Sequence, residues 1–146
     1  MDFRMEWHVV DGSKGIVSVE IRGDYPPGSE GNEHGSAISN YVRTVVKDSH
    51  ARAVLLDFRE LRYRFGDVIG AAFVHPRRQV QGKTTFLPCA VAASGRTKKS
   101  LVSLLTDFGS IDSFVSLAFF DNREDALAHL QDAVNSQNLP LGGSIG

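Results

Sequence analysis

The chain has 146 residues and 15.9 kDa, enough for one domain and hardly two, with 42% hydrophobic and 23% charged residues as in an ordinary soluble globular protein. Sixteen Lys and Arg against seventeen Asp and Glu leave a net charge of -1, without the basic excess of a dedicated nucleic-acid binder. A lone cysteine, Cys89, closes no internal disulfide, no apolar run approaches the ~20 residues needed to span a bilayer, and the charged opening MDFRME does not read as a signal peptide, so a cytoplasmic protein without stable membrane insertion is expected.

Two strands open the chain. Met5–Val10 is followed by the turn chemistry of Asp11-Gly12-Ser13, and Gly15–Tyr25 alternates, with Ile16, Val17 and Ile21 divided over two faces and Val19 one step out of phase. Lys14-Gly15 predicts a hairpin between them, and Pro26-Pro27-Gly28 ends the second strand because proline cannot donate to a ladder. Ala37, Ile38, Tyr41, Val42, Val45 and Val46 recur at helical spacing, which predicts an amphipathic helix over Asn32–Ser49. Arg52–Phe58 is a nearly continuous apolar run, the pattern of a strand buried on both faces of a parallel sheet, and it ends on Asp57.

A loop of mixed charge and aromatics (Arg59–Gly66) leads to Asp67, an N-cap for a short helix with Val68, Ile69, Ala72 and Phe73 on one face, limited near His75 by Pro76. Phe86–Ala93 reads as a second buried strand despite Pro88. Ser94-Gly95-Arg96-Thr97 turns into a helix striped by Leu101, Leu104, Leu105 and Phe108 and ended by Gly109. Phe114–Phe120 reads as the last strand. Asp121 or Asn122 caps the last helix, whose Ala126, Leu127, Leu130 and Val134 face inward. From Asn135 the chain is polar and glycine-rich without a period. The order ββαβαβαβα predicts an α/β protein: a mixed, mostly parallel sheet of about five strands covered by helices, the antiparallel first strand at an edge.

That order and two segments, Ala53-Val-Leu-Leu-Asp-Phe-Arg-Glu-Leu-Arg-Tyr-Arg-Phe-Gly-Asp-Val-Ile-Gly70 and Phe119-Phe-Asp-Asn-Arg-Glu-Asp-Ala-Leu-Ala-His-Leu130, resemble the STAS domain, the fold of anti-sigma factor antagonists. The family has a strand ending in leucine-aspartate, a hydrophobic loop, then aspartate-serine-serine-glycine and a helix. The resemblance implies one STAS-like α/β domain over residues 1–134, with 135–146 as a flexible C-terminal tail. It also implies a non-catalytic regulatory module, in bacteria, that binds a protein partner such as a kinase-like anti-sigma factor. In the family the second serine caps the helix and is phosphorylated. Here Phe65-Gly66-Asp67 aligns with that motif, so Asp67 replaces the serine. Either it fixes a negative charge where the family switches one, imitating in part a phosphate of about −1.5 to −2 charge, or it only caps the helix.

The five histidines are scattered without the spacing of a metal site, and Cys89 lies in a buried-looking strand without a nucleophile signature. No catalytic residue, metal ligand or cofactor is therefore assigned. Asp57 stands at the carboxyl end of a central strand, the default ligand position of an open α/β sheet, unless it only bonds the following loop. Ser94, Arg96, Thr97 and Lys98 open a helix after a strand, an anion-binding arrangement with glycine-to-lysine spacing unlike an NTPase loop. Between Arg59 and Lys99 nine basic residues face two acidic ones, a net of +7, and the rest of the chain carries -8. With Arg62 and Arg64 this predicts a basic strand-end surface for an acidic protein partner. The alternative is a small anionic-ligand or lipid-binding α/β protein, or an enzyme, using the crevice near Asp57 and Ser94–Lys99, although Phe65, Phe73 and Phe108 read as core rather than as a lipid groove. The oligomeric state is left open, a homo-oligomer included.

Overall fold

A computed structural model describes residues 3–26, 28–63, 69, 72, 76–80, 82–107 and 117–145. Strands β1 (Arg4–Asp11) and β2 (Ile16–Asp24) form the expected antiparallel hairpin. Its turn is closed by Asp11, whose Oδ1 accepts from Ser13 Oγ at 2.8 Å and from the Lys14 N–H at 3.2 Å. Gly15 then takes φ 68°, and a Cβ there would sit 2.9 Å from the Arg52 side chain. Helix α1 (Gly28–Ser49) returns the chain to β3 (Ala53–Asp57), followed by the two-residue β4 (Leu61–Arg62).

Strands β5 (Arg77–Val80) and β6 (Lys83–Phe86) pair with each other in a separate antiparallel hairpin. Strand β7 (Cys89–Ala92), helix α2 (Gly95–Asp107), strand β8 (Leu117–Phe120) and helix α3 (Arg123–Ile145) complete the order. The main sheet runs β1-β2-β3-β7-β8, with β1 antiparallel to β2 and every later neighbour parallel, and β4 pairs with the end of β2. This is the mixed, mostly parallel α/β sheet that the alternation of apolar runs and helical periods predicts.

The sheet has two cores. On one face Val17, Val19 and Ile21 of β2, Val54 and Leu56 of β3 and Cys89 and Val91 of β7 pack with Ile38, Val42 and Val45 of α1 and Leu101 of α2. On the other, Ile16, Ala53, Leu55, Ala90 and Ala92 lie with Ala126, Leu130 and Val134 of α3. Val19 is therefore in phase with Val17 and Ile21, and it is Ile16 that turns to the opposite core. Ile69 and Ala72, expected on one apolar face, are both fully buried in the first core.

Some boundaries differ from the sequence reading, and helix α1 begins at Gly28 rather than at the expected Asn32. The apolar segment Phe86–Ala93 is not one strand: Pro88 donates no N–H, its carbonyl accepts from the Val54 N–H at 3.0 Å, and Phe86 belongs to the β5–β6 hairpin, 41% exposed. That hairpin turns at Gly82, with φ 79°. Of the expected last strand Phe114–Phe120, Leu117–Phe120 is β8, and residues 114–116 lie outside the described residues. Helix α3 keeps its helical backbone past Asn135 to Ile145, through the segment that the sequence reads as an unperiodic tail. Asn122 is the cap of α3, its Oδ1 accepting from the Asp125 N–H at 2.8 Å. Among the described residues no helix is long and apolar enough to cross a membrane.

Candidate binding groove

Strands β2 and β3 run in parallel register as far as Glu20 and Asp57, which lie side by side. The chain then turns at Phe58–Leu61, closed by the Leu61 N–H on the Phe58 carbonyl at 3.0 Å. Pairing with β2 resumes in β4: the Gly23 N–H donates to the Glu60 carbonyl at 3.0 Å and the Tyr25 N–H to that of Arg62 at 2.9 Å. This turn carries Arg59 and Glu60 over the carboxyl end of the sheet.

Asp57 is 5% exposed and fixes the turn. Its Oδ1 accepts from the Arg59 backbone N–H at 3.2 Å and from Arg59 Nε at 2.8 Å, and its Oδ2 accepts from Arg59 Nη2 at 2.8 Å. Three bonds to one residue, two of them from its guanidinium, offset the burial of the carboxylate. The same bonds raise the Arg59 guanidinium above its ordinary pKa. Asp57 thus bonds the following loop, one of its two sequence-based readings.

Arg22 of β2 meets three carboxylates, Glu60 at 3.0 Å, Glu20 at 3.1 Å and Glu6 at 3.7 Å. Arg62 donates through Nε to Asp24, and this bond holds the Asp24 carboxyl below its ordinary value. Arg4 lies directly opposite Arg22 in the β1–β2 register, is exposed, and has no ion pair among the described residues. Arg4, Arg22, Gly23, Arg59, Glu60 and Arg62 line an open depression of about 410 Å³. Guanidinium groups are permanently charged, planar donors matched to carboxylate or phosphate oxygens, and here Arg22, Arg59 and Arg62 each already hold a carboxylate of the chain.

The predicted site residues divide. Arg62 lines the groove, and Asp57 anchors the lining residue Arg59. Thr97 lies elsewhere as a clip: its Oγ1 donates to the Leu61 carbonyl at 2.8 Å and accepts from the Tyr63 N–H at 3.3 Å, tying the first turn of α2 to β4. Lys98 Nζ donates to Asp121 at 2.8 Å, and Ser94 and Arg96 are exposed beside it without lining the groove. Arg64 and Asp67 lie outside the described residues, as do Phe65, Phe73, Phe108 and Gly109. Among the described residues no cluster of His, Cys, Asp or Glu could hold a metal ion. Cys89 is buried in the first core, and burial pushes its thiol up to about 12.

Arg4, Arg22, Gly23 and Glu60 are the groove residues that sequence reasoning missed as site residues, and Arg59 entered it only as one charge of a basic block. The signal for Arg4 and Arg22 was the hairpin register, but β1 slips by one residue between Val9 and Asp11. Counting back without that slip from Asp11 opposite Ile16 would place Gly23, not Arg22, against Arg4.

Sheet order, helix placement and strand directions define a STAS-type α/β fold, as the sequence resemblance implied. Among solved structures the chain is similar to an anti-sigma factor antagonist from Mycobacterium paratuberculosis, with 17% identity and a TM-score of 0.57 over 89% of this chain and 95% of that one. At that identity the likeness carries the fold. No protein-family model matches the chain, and no curated protein does.

Proposed function

We propose that this chain is a non-catalytic regulatory module that docks an acidic segment of a partner protein in the arginine groove. The observation that carries the reading is the convergence of Arg4, Arg22, Arg59 and Arg62 from three separate stretches of chain on one depression, with Arg4 opposed to Arg22. Arg59 and its supporting turn are pre-set by Asp57, so little side-chain freedom is lost there on binding. The similarity to an anti-sigma factor antagonist supports the regulatory class, and a kinase-like anti-sigma factor in the cytoplasm of a bacterium is the kind of partner proposed. Under this reading Asp67 supplies a fixed negative charge where the family resemblance has a phosphorylatable serine, so docking is not switched by phosphorylation at that position.

The test is affinity capture from cells that express the protein, with the wild-type chain and an Arg4→Glu/Arg62→Glu variant as baits. A partner bound by the wild type, weakened by added salt and lost from the variant is the expected result. Baits that retain the same partner equally overturn the assignment. A small-anion reading rests on the same arginines and separates cleanly: a rise in melting temperature with phosphate or nucleotides, abolished in that variant, favours it over a protein partner.

A further inference from the structure

Strand β1 forms one edge of the main sheet, and among the described residues no strand pairs with its outer side. An edge of eight residues presents a row of unpaired N–H and C=O groups, and natural sheets usually protect such an edge with charge, proline or a covering element. Here the side chains facing the first core along that edge are Met5, Trp7 and Val9, opposite Ile21, Val19 and Val17. Trp7 is 38% and Val9 54% exposed. On the other face Glu6 and His8 are exposed.

We infer that β1 pairs with β1 of a second copy of this chain, antiparallel about a two-fold axis through Trp7, making one continuous sheet across the dimer. Antiparallel pairing places opposite each other only residues whose backbone groups point the same way, so on a strand meeting its own copy the paired residue numbers share parity. Three central registers satisfy that rule. One sets Glu6 on Glu6, opposing two carboxylates, and Arg4 on His8. A second sets His8 on His8 and Met5 against the Asp11 carboxylate. The third sets Trp7 on Trp7 and, twice each by symmetry, Met5 on Val9, Glu6 on His8 and, at the strand ends, Arg4 on Val10.

Only the third register puts apolar on apolar on one face and acid on imidazole on the other. The imidazole is prepared for it. Arg123 Nη2 lies 3.0 Å from His8 Nε2, and a guanidinium has no acceptor, so Nε2 accepts and Nδ1 carries the proton available to Glu6 of the second copy. The pairing uses the strand edge and the groove opens at the strand ends; Glu6 lies 3.7 Å from the groove residue Arg22, so Val9→Lys, which leaves Glu6 and the groove arginines in place, separates the two interactions.

Trp7 is the sole tryptophan, so its emission reports this interface alone. Sedimentation velocity and fluorescence are recorded together from micromolar to submillimolar protein. The expected result is a rise in mass from 15.9 kDa toward twice that value, with a parallel shift of Trp7 emission to shorter wavelength. Glu6→Lys sets an amine against His8 and keeps the chain monomeric over the same range. The Glu6→Lys/His8→Glu double variant restores association, because the third register alone makes those two positions partners. Val9→Lys, at an exposed position, folds as the wild type does by circular dichroism and stays monomeric. A wild type that remains at one chain mass, a Glu6→Lys variant that associates like the wild type, or a charge-swapped double variant that stays monomeric overturns the proposal.

Discussion

The two faces of the central sheet are built from the same strands and behave differently. Toward α1 and α2 the inward residues stay apolar along their whole length, from Val17 to Ile21 on β2 and from Val54 through Leu56 on β3 to Phe58 just beyond it. Toward α3 the apolar set, Ile16, Ala53 and Leu55, gives way to Ser18, then to Glu20 beside Asp57, then to Arg22. Helix α3 packs on the amino-terminal part of these strands through Ala126, Leu130 and Val134, and the charges begin where that cover stops. One face is therefore devoted to stability. The other divides its length between a small core and a charged end whose carboxylates hold the arginines in place.

That contrast predicts a graded series. Leu56→Ala opens a cavity in the uniformly apolar core and lowers stability by about 2–5 kcal/mol in urea denaturation. Asp57→Ala, one residue further on and facing the other way, removes the anchor of Arg59. Because Arg59 is itself partly exposed, the loss is smaller, about 1–2 kcal/mol, and is accompanied by weaker partner capture. If Asp57→Ala matched Leu56→Ala in stability, the division of labour between the faces would be wrong. Thr97→Val strips both bonds of the clip between α2 and β4 and costs about 1 kcal/mol by the same denaturation measurement.

The smallest effect concerns acid. Asp11 is bonded by Gln131 Nε2 of α3 at 3.0 Å and by Ser13, which lowers its pKa from 3.8. Its folded-state pKa lies below the unfolded one, so its contribution is complete above the unfolded value and disappears as pH falls through the folded value. Stability of the wild type relative to Asp11→Asn therefore narrows below about pH 4 and stays constant above it, as measured by thermal unfolding at stepped pH.

The stability face was legible in the sequence because its signals are local. Ala53–Asp57 is an unbroken apolar run and α1 repeats its apolar residues at helical spacing, so each element announces its burial within its own span. The hairpin β5–β6 was not, because Arg-Arg-Gln-Val and Lys-Thr-Thr-Phe show no apolar face, and the two residues of β4 are too short to carry a pattern. The charged end is non-local in a different way. The +7 block from Arg59 to Lys99 looked like an uncompensated surface, yet the fold brings Asp57 to Arg59, Asp24 to Arg62 and Asp121 to Lys98, all three carboxylates from outside the block. Arg4 and Arg22 join from the acidic remainder through a hairpin whose one-residue slip no spacing rule foretells. Asp57 was found because its position at a strand end is itself a local signal.

The most direct test of the arginine groove as a docking site is amide hydrogen exchange on the chain alone and with its captured partner. The account predicts slowed exchange in the segments around residues 4–6, 22–24 and 59–62, where the groove is closed over, and unchanged exchange in α1 (Gly28–Ser49). Protection gained on α1 or on the β5–β6 hairpin, with the groove segments exchanging as in the free chain, would contradict it.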